Sequence, residues 1–142
     1  MPLICQRVSR PTTRLGWFGV HNTDTDPHQF DLRVERDGSE VHYSSHDVRG
    51  RDGCLNHGAV ADCTWGSTPG QYELGVRVDG GDWVARSVTP NEAREADCVV
   101  ADAEYVNNNN FSRYVDGYSL DIFIREDSCH RGYVGKCPFV TR

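Results

Sequence analysis

The chain has 142 residues, 37% hydrophobic and 25% charged, which suits one domain with a real core and excludes disorder throughout. Its formal net charge of −6 argues against a nucleic-acid phosphate backbone as partner. No apolar run approaches the roughly 20 residues that span a bilayer, so no membrane-spanning helix is expected.

Residues 1–14, with Pro2, Pro11 and a polar run from Arg7 to Thr13, read as an N-terminal arm. A first strand is predicted near Trp17 to His21, followed by the polar turn Asn22-Thr23-Asp24-Thr25-Asp26-Pro27. Phe30, Leu32 and Val34 then alternate with Gln29, Asp31, Arg33 and Glu35, a period of two that sends one set inward. Asp37-Gly38 supplies the positive dihedrals of a tight hairpin into a third strand, Glu40 to His46. Residues 47–70 read as irregular, with five glycines and Pro69. Tyr72, Leu74, Val76 and Val78 repeat the alternation, and Asp79-Gly80-Gly81-Asp82 turns into a strand at about 83–88. Thr89-Pro90-Asn91 breaks the chain, Glu92 to Ala96 suits one helical turn, and a strand follows at about 97–106. There Val99, Ala101, Ala103 and Tyr105 share one face; if that face is the core, Cys98 points outward. Asn107–Asn110 form a loop, and Leu120, Ile122 and Ile124 mark the last strand. About seven to eight short strands with turns at this spacing predict an all-β, antiparallel β-sandwich over 15–125, with a turn-rich tail over 126–142.

Six cysteines are many for a reducing cytosol and are even in number. Cys54 with Cys63 and Cys129 with Cys137 are close enough to close short loops, which leaves Cys5 for Cys98. Six cysteines allow 15 connectivities, so this pairing is one arrangement among several. A stapled chain belongs outside a reducing compartment, and the opening residues carry no signal-peptide pattern.

Val20-His21-Asn22-Thr23-Asp24 with Pro27-His28, Val34-Glu35-Arg36-Asp37-Gly38, Pro69-Gly70-Gln71-Tyr72-Glu73-Leu74, Val78-Asp79-Gly80-Gly81 and Asp97-Cys98 carry a resemblance. Over about 16–104 the chain resembles immunoglobulin-like β-sandwich domains of haloarchaeal secreted proteins and lipoproteins, mostly without an assigned function. Lys136 is the single lysine beside 14 arginines, which fits a GC-rich genome and, with 14 Asp against 7 Glu, also a salt-loving source. The resemblance implies a secreted or cell-surface module and carries no chemistry. That group lipidates a cysteine after a small residue; Leu3-Ile4-Cys5 lacks one.

Cys54, His57 and Cys63 have the residue types of a zinc site, which stands as an alternative to disulfides. His42 and His46 share a strand face, but four residues at about 3.3 Å each hold them too far apart for one ion. A copper site wants an axial methionine, and Met1 is the only one. A nucleophile elbow and a zincin helix are absent. His21 and His28, flanking a turn, read as surface residues. No catalytic residue and no cofactor are therefore expected. Asn110-Phe111-Ser112 is a sequon that would carry a glycan at Asn110 in an exported chain. Phe123 lies between Asp121 and Arg125 on the nominal outer face of the last strand, and with Tyr118 it is the candidate contact for a protein partner or self-association. Trp65 or Trp83 as a stacking platform would make a carbohydrate-binding domain instead. The leading expectation is a non-enzymatic, disulfide-stapled structural or adhesive module of a cell surface, filament or virus particle.

Overall fold

A computed structural model describes residues 11–95, 97–108, 117–126, 129 and 137–139. Among the described residues, eight strands and one short helix follow in chain order: β1 (Arg14–Asn22), β2 (His28–Arg36), β3 (Ser39–Val48), β4 (His57–Val60), β5 (Tyr72–Val78), β6 (Val84–Ser87), α1 (Pro90–Glu95), β7 (Cys98–Asn107) and β8 (Tyr118–Arg125). They form two four-stranded sheets, ordered β4-β1-β7-β8 and β3-β2-β5-β6. The protein is a β-sandwich.

The alternating residues do what their period requires. Phe30, Leu32 and Val34 of β2, Leu74 and Val76 of β5, and Val99, Ala101 and Ala103 of β7 are fully buried between the sheets. They meet Leu15, Phe18 and Val20 of β1 in a single core. Each such Phe, Leu or Val contributes about 1.5–3 kcal/mol through removal from water. Both predicted Asp-Gly turns are formed: Asp37 and Gly38 have φ of 53° and 84°, and Asp79 and Gly80 of 51° and 69°. Their left-handed dihedrals match the twist of the paired strands.

Three features depart from the expected layout. Residues 57–60, read as loop, form β4 and pair antiparallel with β1. β1 begins at Arg14, and Thr13 already pairs with Gly70. The β1–β7 pair is parallel, and its register slips between Leu15 and Trp17. The slip sets Gly16 outside the ladder, and its carbonyl accepts the N–H of Cys137 at 2.8 Å. A bulge in the first strand thus receives the far end of the chain.

The disulfides follow from this placement and correct the expected pairing. Cys63 bonds to Cys137 and Cys98 to Cys129, with Cα–Cα distances of 5.5 and 6.1 Å. Cys54 and Cys63 are therefore not a pair, nor are Cys129 and Cys137, nor Cys5 and Cys98. Cys54 is exposed and has no disulfide partner among the described residues, and Cys5 lies outside them. Short sequence separation favoured local loops; the fold instead brings the tail onto the sandwich. Cys98 does face outward from β7 as expected, and with Trp17, Val100 and Cys129 it makes a second apolar cluster on the outer face of the sheet.

Candidate functional site

The outer face of β8 and its edge, which no second strand pairs among the described residues, form the site that the sequence nominated. β8 pairs with β7, with Asp102 opposite Phe123 and Glu104 opposite Asp121. It is the last strand in its sheet. Alternation sends Leu120, Ile122 and Ile124 toward the core side and leaves Asp121, Phe123 and Arg125 exposed. Phe123 is 44% exposed, a large apolar ring held between two opposite charges. Beside it a groove of about 510 Å³ separates β8 from β6, the edge strand of the other sheet, and is lined by Val84, Ala85, Arg86, Phe123, Ile124 and Arg125 among others. An edge strand offers unpaired backbone N–H and C=O groups, and an exposed aromatic gives a partner something to bury.

Tyr118 stands at the other end of β8. It is 52% exposed, yet one face of its ring stacks on Tyr105, centroids 5.3 Å apart and 10° from parallel. Asn107 Nδ2 donates to its hydroxyl at 3.3 Å. Tyr118 therefore belongs to a second cluster, which sequence reasoning missed. His28 sits between two carboxylates there: Nε2 meets Asp24 at 2.7 Å and Nδ1 meets Asp79. Asp24 is buried and also accepts from the N–H of Thr25 and from Asn107 Nδ2. Carboxylates only accept, so the two contacts are both satisfied when each ring nitrogen of His28 carries a proton, and the pair of aspartates favours the imidazolium form. Burial lowers the His28 pKa, but the hydrogen bonds to Asp24 and Asp79 outweigh it and leave the pKa raised. Burial also raises the Asp24 pKa, and the bonds from His28, Asn107 and Thr25 outweigh that in turn, so it is lowered. The Tyr105 hydroxyl, buried and near Tyr118 and both aspartates, is pushed up to about 12. With both ring nitrogens held by carboxylates from two different turns, His28 ties the 24–28 segment to the Asp79 turn at this end of the sandwich. His28 is half-buried rather than the surface residue expected, and the Asx pattern of the 22–27 turn was the only hint of it.

A second histidine group lies on β3. His42 Nε2 meets the Ser44 hydroxyl at 2.8 Å, Ser44 meets His46 Nε2 at 2.7 Å, and Thr64 Oγ1 closes on His42 Nδ1. The two imidazoles share a strand face as the sequence indicated, with a serine between them where a shared ion would have to sit. Burial lowers the pKa of both. On the outer face of the first sheet, His21 Nδ1 lies 2.7 Å from Asp102.

The alternatives fare less well. Cys63 is bonded to Cys137, so it supplies no thiolate to a Cys54, His57, Cys63 zinc set. Among the described residues no group of three or more His, Cys, Asp or Glu is arranged to hold a metal ion. Trp65 is 2% exposed, and its indole N–H donates to the Leu15 carbonyl at 2.7 Å; it is core, with no platform to offer. Trp83 lies against Gly75, with the guanidinium carbons of Arg33 and Arg77 at 4.4 and 4.6 Å from its ring centroid. The ring is thus already in cation–π contact with two side chains of this chain. Asn110 lies outside the described residues. No protein-family model matches the chain, and no curated protein matches it.

Proposed function

We propose that this protein is a non-enzymatic, disulfide-stapled structural or adhesive module that works outside the reducing cytosol and makes its contacts through the β8 edge. The observation that carries the reading is the exposed Phe123 on an edge strand of a sandwich whose tail is held by two long-range disulfides. Disulfides of this kind persist in oxidising compartments. The most connected polar groups support a structural role: both nitrogens of His28 are held by carboxylates, and His42 is bridged through Ser44 to His46. No helix among the described residues is long and apolar enough to cross a membrane. The resemblance to haloarchaeal secreted domains points the same way.

The test is the intact mass of protein from its native source, denatured without and then with reductant. Two bridges should add about 4 Da on reduction, two hydrogens for each bond. An unchanged mass would mean free thiols and would remove the exported module. A glycan at Asn110 would appear in the same spectrum as added mass.

A further inference from the structure

We propose that the partner of the β8 edge is a second copy of this chain, joined by antiparallel β8–β8 pairing about a twofold axis at Phe123. The proposal rests on the reading of β8 as the contact edge and adds the partner and the register.

The argument begins with alternation. A twofold axis normal to the sheet keeps outward side chains opposite outward side chains, so each register is named by the residue at its centre. With Phe123 at the centre, Asp121 of each copy faces Arg125 of the other, and the two Phe123 rings meet between these pairs. The three outward residues, Asp121, Phe123 and Arg125, are exposed and evenly spaced on one face. On the core side Ile122 faces Ile124 of the second copy, which continues the apolar layer across the seam. Other registers lose this match. Centring on Asp121 sets the two Asp121 carboxylates together, and centring on Arg125 sets the two Arg125 guanidiniums together. Centring on Ile122 puts Asp121 against Phe123, and centring on Ile124 puts Arg125 against Phe123. Directly opposed opposite charges and aromatic pairs stabilise a ladder, and like charges oppose it.

The fold leaves the edge ready for this. Among the described strands, β8 pairs with β7 and no other. The groove between β8 and β6 runs along that edge of β8. Within the chain, Arg125 meets Glu104 only at 3.9 Å, a loose contact that does not hold it back from a carboxylate in direct register. The assembled sheet would run β4-β1-β7-β8-β8-β7-β1-β4, closing the β8 edge of each copy in one step. A closed, isologous contact makes a dimer rather than an open filament.

Sedimentation equilibrium of the full oxidised chain tests this, with Asp121→Arg, Arg125→Asp and the double variant. The wild type should dimerise. Each single reversal, which sets like charges opposite each other twice, should weaken the dimer about tenfold or more. The double variant exchanges the charges and should return to within about threefold of the wild type. A monomeric wild type, single variants as tight as the wild type, or a double variant as weak as the singles would each overturn the pairing. Circular dichroism checks that each variant folds. Should a reversal unfold the chain, Phe123→Cys in a Cys54→Ser background replaces it: mild oxidation should give a reducible dimer through residue 123, and a chain left monomeric would overturn the register. A monomer that still gains mass on reduction would sink self-pairing while leaving the exported module standing.

Discussion

His28 is a surface-turn residue by its neighbours in sequence and a clamp between two carboxylates by its neighbours in space. Asp24 and Asp79 face its two nitrogens, and the Tyr105 ring lies edge-on at 4.9 Å. Its folded-state pKa lies above the ordinary value of 6.5. Such a group contributes stability that is fully present below the unfolded pKa and is lost as pH rises through the folded value. His42 and His46, held neutral by burial, work in the opposite sense: their share is present above 6.5 and lost as pH falls. The clamp is therefore isolated by difference. His28→Gln keeps a donor near the carboxylates but removes the charge. Its melting temperature should fall furthest below the wild type at about pH 5.5, and the gap should narrow toward about pH 9. A gap independent of pH would show that the ring acts through packing alone. Asp24 and Asp79 set the lower limit, because their lowered pKa values mean that acid protonates them only below the usual carboxylate range.

At the scale of elements, what could be read depended on how each strand meets its neighbours. β2 and β5 are central and buried on one face, so Phe30, Leu32, Val34, Leu74 and Val76 wrote a clean period of two, and both Asp-Gly turns could be placed from it. The same alternation placed Phe123 outward and Cys98 on the outer face. β4 left no such trace. It has four residues, one of them Gly58, and a glycine among loop residues reads as a turn. Here Gly58 serves close approach instead: a Cβ on it would stand 2.5 Å from the Val20 carbonyl oxygen. The parallel β1–β7 pair and the Asp79 contact of the His28 clamp join residues about 50 to 85 positions apart, which no local pattern encodes. The role of β4 can be tested through that one position. Gly58→Ala should cost about 1–3 kcal/mol in urea unfolding, because the new methyl meets backbone that must shift. A neutral result would mean that β4 moves freely off β1 and that its pairing adds little.

For the whole molecule, the question is what binds the last residues to the first. The tail is stapled to the sandwich at two places: Cys137 packs in the main core beneath the bulge of β1, and Cys129 in the outer cluster beside Trp17. Phe139 touches both clusters and lies under the Arg14 guanidinium at 4.9 Å. The bridges close 74 and 31 residues of chain. In the chain-entropy treatment such loops are worth about 4.5 and about 3.7 kcal/mol. Together these are comparable to the whole stability of an ordinary domain, about 5–15 kcal/mol. Reducing the two bridges should therefore remove a large share of the stability of the fold. Replacing Cys63 and Cys137 by serine should lower stability more than replacing Cys98 and Cys129, since that pair closes the longer loop and also fills the main core. Urea unfolding of both double variants gives the order. Equal losses would mean that the two staples act only on a tail independent of the core; a larger loss from Cys98 and Cys129 would place the principal anchor on the outer face, around Trp17.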